Sequence, residues 1–381
     1  MNDCVDGGGK GQLVLLRALA GCPVPTCPTI LHVAQGLIAS YKMRVRLKDI
    51  AKDLNLSKMT ISKVLRGQTD ISDATRARVL QRVRELNYIP NISASSLRTG
   101  QTRTMGLILP ALGNPYLAQI AAGVSKTLSV ENYRLIISSS ENDLEAEQKQ
   151  IGIFVSLQVD ALLLVSLQES ALFFEGLQGR TDMPVIFVAS RPSGITGRYV
   201  GINEEEVGRV ACEHLIQNGC RRIAYIRGSH SAAGDMRSQG YRQALRRNGI
   251  EVQSDLVIET MNPQQSEYQC GSEAMARLLA RRGRPDGVMT YTDMLAVGAM
   301  DAATLSGVRI PEDIRFAGCG NDPRLCQMRV PLTSVETGGQ DLGEKAGKLA
   351  LRLIGHPGGR GSQSILLKPK VVKRRSSEGP R

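Results

Sequence analysis

Leu47-Lys-Asp-Ile-Ala-Lys-Asp-Leu-Asn-Leu-Ser-Lys-Met-Thr-Ile-Ser-Lys-Val-Leu-Arg-Gly67 decides the reading of the whole chain. Leu47, Ile50, Ala51 and Leu54 recur at helical spacing and predict a short amphipathic helix. Asn55 follows, a residue that tolerates the left-handed backbone a helix-ending turn needs. Leu56 plugs a core, and Ser57 is a good N-cap for a second helix whose Ile61, Val64 and Leu65 face inward. Gly67 stops that helix. Ser72 caps a third, with Val79, Val83 and Leu86 inward and a stop at Tyr88–Pro90. Two helices joined by so short a turn cross sharply, the geometry that lays a second helix in the DNA major groove. Lys58, Met59, Ser62 and Lys63 are left outward on it. Lys58 and Met59, near its N-terminus, are the expected base readers, and Thr60 and Ser62 can support phosphate contacts.

Charge separates this helical cap from an ordinary one. The 381 residues carry a net +12, yet residues 44–103 alone hold 13 Lys/Arg against five acids, or +8. The segment from Lys368 onward adds +5, and residues 104–367 sum to −2. A basic module of about 60 residues on a near-neutral body is the footprint of a polyanion-binding head.

Beyond Thr104 the pattern changes to continuous apolar runs bounded by turn residues: Met105–Leu109, Arg134–Ile137, Ala161–Val165 and Val185–Val188. Helical stretches lie between them at Leu117–Glu131, Glu145–Leu157 and Leu172–Gln178. The rhythm resumes at Arg222–Ile226, Gly287–Thr290 and Arg315–Ala317. This alternation predicts parallel sheets covered on both faces, in two doubly wound lobes with a ligand cleft at the carboxyl ends of the strands.

Leu47–Gly67, its continuation Ile71–Leu80, and Asn87-Tyr-Ile-Pro-Asn91 together resemble the N-terminal signature of LacI/GalR-type repressors. The resemblance runs from Arg46 to about Lys370. It departs at Arg46, where the family usually has a Thr cap, and at Asn55, where it often has Gly. It implies an all-α, lambda-repressor-like helix-turn-helix domain over 44–90 with DNA contacts from Ser57, Lys58, Met59, Thr60, Ser62 and Lys63. It further implies a hinge helix over 91–100 that folds when two copies meet in the minor groove. There Leu97 is the apolar wedge, Ala94 sits against the groove floor, and Asn91 and Arg98 make contacts. An isolated segment this short is unstable as a helix, and its composition fits a Ser-rich linker equally well.

For residues 103–370 the resemblance implies an α/β, two-lobed, periplasmic-binding-protein-like core that dimerises and binds an effector. Tyr116, Ser190, Arg191, Arg237, Thr292, Asp293 and Asn321 carry over as effector-binding positions. Ser190 stands where Asp is frequent, Thr292 replaces a usual Asn, and Gly320-Asn321 replaces an acidic pair. Arg237 is the firmest of the set, because a cleft Arg without a partner is costly to desolvate. The implied partners are a pseudo-palindromic operator duplex, a carbohydrate or sugar derivative, and a second copy of the chain, in the cytoplasm.

Other classes find less support. A solute-binding receptor would share the two lobes but needs an export signal and no helix-turn-helix. An enzyme needs a catalytic constellation, and four histidines, no Gly-x-Ser-x-Gly elbow and no Walker loop supply none. No catalytic residue, cofactor or metal site is expected, and the eight cysteines, with no Cys-x-x-Cys pair, read as free thiols. No stretch reads as a membrane span. Recognisable pattern begins after Met43, so residues 1–43 read as a non-native or disordered extension, and residues 371–381 as a disordered basic tail.

Overall fold

The computed structural model describes residues 45–65, 67–88, 101–178, 181–228, 232–260, 265–355 and 363–378. The expected N-terminal extension and the hinge residues Asn91, Ala94, Leu97 and Arg98 lie outside them. The chain divides into two compact units, with a boundary between Ile92 and Ser93.

The first unit is three helices: α1 (Leu47–Asp53), α2 (Lys58–Leu65) and α3 (Asp73–Glu85). Its core is Ile50, Ile61 and Val79, all without exposure, closed by Ala51 and Val64. Asn55 takes φ 52°, the left-handed turn that lets α2 cross α1. The Ser57 hydroxyl accepts the Thr60 N–H at 3.0 Å and caps α2. Ser72 does the same for α3 through the Thr75 N–H.

The second unit holds two six-stranded sheets, each the centre of one lobe. The first sheet contains β1 (Thr104–Leu109), β2 (Arg134–Ser139), β3 (Ala161–Leu164), β4 (Val185–Val188), β5 (Tyr199–Ile202) and β11 (Ser364–Leu367). Their order is β11-β5-β4-β3-β1-β2 and every pairing is parallel. The second contains β6 (Ile223–Arg227), β7 (Val257–Glu259), β8 (Gly287–Thr290), β9 (Arg315–Cys319), β10 (Thr333–Glu336) and β12 (Lys370–Val372). Its order is β12-β10-β9-β8-β6-β7, and only β12 runs antiparallel. In each sheet the strand order reverses once, at β1/β3 and at β6/β8, which opens a crevice at the strands' carboxyl ends.

Around the first sheet pack α4 (Pro115–Val130), α5 (Leu144–Ser156), α6 (Leu172–Gln178) and α11 (Gly339–Gly355). Around the second lie α7 (Glu204–Gln217), α8 (Ala232–Arg247), α9 (Glu267–Leu279) and α10 (Asp293–Leu305). Three helix pairs touch backbone to backbone through glycine. A Cβ at Gly208 on α7 would collide with the Arg237 carbonyl on α8, and one at Gly240 with the Glu205 carbonyl. Gly271 and Gly298 do the same for α9 and α10, and Gly123 and Gly343 for α4 and α11.

The C-terminal segment corrects the sequence reading. Residues 371–378 are no disordered tail: Val371 and Val372 belong to β12, and Ser376 and Ser377 have no exposure. Ser376 Oγ accepts the Thr333 N–H and donates to the Phe316 carbonyl, both at 2.8 Å, and Ser377 Oγ pairs with His214 Nε2 at 2.7 Å. Buried hydrogen bonds hold a stretch whose Lys, Arg and Ser content resembles that of a solvated tail. Among the described residues no helix is long and apolar enough to cross a membrane, and no group of His, Cys, Asp or Glu is placed to hold a metal ion.

Candidate functional site

Two surfaces matter, one in each unit. In the first, the N-terminal turn of α2 presents Ser57, Lys58 and Met59 outward, Met59 with 68% exposure. A methionine so exposed beside a lysine has no role in the core of this unit. Thr60 is half-buried, its hydroxyl sharing a 2.9 Å hydrogen bond with Ser57. Ser62 and Lys63 are half-buried on the next turn, and the Lys63 ammonium is paired with Asp70.

In the second unit the loops after β1, β3 and β4 face those after β6, β8 and β9 across a cavity of about 580 Å³. Of the expected effector positions, Tyr116, Ser190, Arg237, Thr292 and Asp293 line it. Arg191 and Asn321 do not. Arg191 lies over the Tyr199 ring at 4.5 Å and donates to Ser364 Oγ at 3.3 Å, where β5 pairs with the edge strand β11. Asn321, at φ 53°, donates to Glu336 Oε2 and accepts from Arg374 Nη2 at 2.6 Å, so its amide holds a loop together. Its neighbour Asp322 lines the cavity instead.

At the floor, Arg237 Nε donates to Glu204 Oε2 at 2.6 Å and Nη1 to the Tyr291 carbonyl at 2.6 Å, with the guanidinium 4.5 Å over the Tyr291 ring. Both partners of the ion pair are buried. Burial alone would lower the Arg237 pKa, but the Glu204 carboxylate outweighs it and holds the guanidinium well above its ordinary value. The carboxylate that a desolvated cleft arginine requires thus comes from the chain itself. Tyr116 begins α4, where Pro115 and the Asn114 side chain, accepting the Tyr116 N–H at 2.9 Å, start the helix. Its hydroxyl is buried without a hydrogen-bond partner, and burial, then the Glu204 charge, drive its pKa far up.

Thr292 caps α10 and donates its hydroxyl to Glu267 Oε2 at 2.9 Å. Asp293 accepts Ser334 Oγ at 2.5 Å and the Asp322 N–H at 2.9 Å. Burial pushes the Asp293 carboxyl up to about 6, against those two hydrogen bonds. Asp322 goes the other way, lowered by its hydrogen bonds from Arg324. Ser190 donates to the Ser166 carbonyl at 2.8 Å, and Ser166 in turn donates to the buried Glu147 at 3.1 Å.

Glu204, Glu267, Asp322 and Tyr268 line the cavity and were not expected from sequence. The acidic first turn Glu204-Glu205-Glu206 after the Asn203 cap is visible as a helix start. Only the Gly208–Gly240 crossing of α7 and α8 brings Glu204 to Arg237.

Residues 46–91 match the family described as bacterial regulatory proteins, lacI family, and residues 212–377 match a periplasmic binding protein-like domain. The HTH-type transcriptional repressor PurR of Erwinia tasmaniensis is 30% identical over 88% of this chain and 97% of its own length. The chain belongs to the lacI family. Among its other relatives, catabolite control protein A of Priestia megaterium is 28% identical over 82% of this chain and 93% of its own length. A structure of the transcriptional regulator CelR with cellobiose shares 28% identity and a TM-score of 0.65, covering 87% of this chain and all of that one. The Lac repressor bound to ONPG in its repressed state shares 25% identity and a TM-score of 0.78, over 88% of this chain and all of that one. The family relatives are transcription regulators, not enzymes, and the lacI-family chain described here has their DNA-binding head and two-sheet core.

Proposed function

We propose that this lacI-family chain is a transcriptional repressor that binds a pseudo-palindromic operator as a homodimer in the cytoplasm. Its operator affinity is set by a small carbohydrate in the cleft between the two lobes. The exposed N-terminal turn of α2 carries the DNA half of the reading: Lys58 and Met59 stand free of the core at the end of a helix that two neighbours brace. Lys58 and Met59 read base edges, Ser57, Thr60, Ser62 and Lys63 support phosphate contacts, and Asn91, Ala94, Leu97 and Arg98 form the minor-groove element. The cleft supports the effector half, with Tyr116, Ser190, Arg237, Thr292 and Asp293 on its walls.

A gel shift of the full chain on candidate upstream palindromes, at fixed salt, tests the reading. Lys58→Ala is expected to weaken the preferred sequence by about 1–3 kcal/mol and to relax specificity at one position of each half-site. Uniform weakening across all sequences would reassign Lys58 to phosphate. No sequence preference in the wild-type chain would overturn the proposal.

A further inference from the structure

The charges of the cleft do not balance. Among the described residues its wall contains four carboxylates, Glu204, Glu267, Asp293 and Asp322, and Arg237 is the one lysine or arginine. Two of the four are paired with an arginine, and a third has both oxygens hydrogen-bonded by neutral donors. Glu204 is paired with Arg237, Asp322 with Arg324 at 2.6 Å, and Asp293 has both oxygens taken by Ser334 and the Asp322 backbone. Glu267 is the exception. The Thr292 hydroxyl fixes its Oε2, while no described cation interacts with it. The residue itself is open to the cleft, yet crowding by the walls disfavours its charged form and raises its pKa. A carboxylate held by a neutral donor, on the wall of a cavity whose one described cation is already paired, favours a ligand bearing a cation.

We infer that the ligand is a polyhydroxylated molecule with a protonated amine, a hexosamine in its simplest form, seated with its ammonium on the Glu267 carboxylate. This rests on the carbohydrate reading above and narrows it. The same charges turn away phosphorylated and carboxylated sugars, because Arg237, the cation that would meet an anion, is already committed to Glu204. Thr292 sets the specificity indirectly: its hydroxyl fixes Glu267 through Oε2, so the ammonium is expected to meet Oε1.

Isothermal titration calorimetry of the full chain against glucosamine, galactosamine and mannosamine tests this. The comparison set is their parent hexoses, their N-acetyl forms and their 6-phosphates. At least one amine is expected to bind roughly tenfold or more tighter than both its parent and its N-acetyl form. Glu267→Gln is expected to abolish that preference. Acetylation removes the charge from the ligand side, so the comparison holds even if the variant does not fold. A parent hexose or 6-phosphate that binds as tightly as the amine overturns the inference and leaves the carbohydrate reading standing. So does an amine preference that survives in a folded Glu267→Gln. Binding by no sugar of the panel overturns both.

Discussion

Arg237 and Glu204 each keep about 8% of their side-chain surface exposed, so neither charge retains enough water to stand alone. Replacing Glu204 by Gln leaves the guanidinium with the Tyr291 carbonyl and ring but no counter-charge. Removal of one partner from a buried pair costs about 3–5 kcal/mol, and the surviving contacts place this loss near the lower end. Urea unfolding at pH 7 measures it; a loss below about 1 kcal/mol would show that the pair does not hold the cleft floor. Asp293 gives a pH signature of the opposite kind. Its carboxyl titrates at about 6 in the fold against 3.8 as a free side chain, so the folded state holds the proton more tightly than the unfolded one. Its contribution to stability is therefore present in full below pH about 4 and is lost as pH rises towards 6, on the order of 3 kcal/mol. The difference in unfolding free energy between wild type and Asp293→Asn is expected to shrink across that window. A flat difference would mean that Asp293 titrates normally. Sequence reasoning reached Arg237, Thr292 and Asp293 because each sits in a recognisable local motif. It missed Glu204 and Glu267, whose partners lie 33 and 25 residues away and are set by helix crossings that no local pattern records.

Those crossings are where helices meet backbone to backbone. A Cβ at Gly208 would overlap the Arg237 carbonyl, so a methyl there must separate α7 from α8 and move Arg237 with it. Gly208→Ala is expected to cost about 1–3 kcal/mol as a shift in the urea midpoint. Gly152→Ala is the control. It lies within α5 with nothing near its Cβ position, and alanine there is expected to be neutral or to stabilise by up to about 1 kcal/mol. Equal effects at the two sites would remove the crossing from the account of the cleft. The strands read best from sequence were those buried on both faces, β1, β3 and β4, because an unbroken apolar run has little other explanation. β10 was not legible: it contains Thr333 and Ser334, buried polar residues whose partners come from Ser376, Arg374 and Asp293. The same partnership hid the order of residues 371–378, whose serines resemble those of a solvated tail until their acceptors and donors are known.

At the scale of the whole molecule the cleft and the helix-turn-helix belong to different compact units. The basic charge of residues 44–88 lies in the first of them and the cleft in the other. A ligand that compensates Glu267 therefore leaves the charge of the head untouched, and its effect on operator affinity has to come from a shift between states of the core that it binds unequally. Such a coupling is reciprocal. If the ligand changes operator affinity by a factor, the operator must change ligand affinity by the same factor, with a magnitude of about 5- to 150-fold for coupling of 1–3 kcal/mol. Titrating whichever sugar binds, with and without saturating operator, and titrating operator with and without saturating sugar, yields two ratios that are expected to agree. Their direction separates induction from corepression without any structural assumption. Glu267→Gln is expected to weaken the sugar and leave the ratio unchanged if Glu267 contacts the ligand equally in both states. If the ratio collapses with the affinity, the ammonium contact itself differs between the states and is part of the switch. Ligand affinity unaffected by operator would mean that the cleft does not control DNA binding.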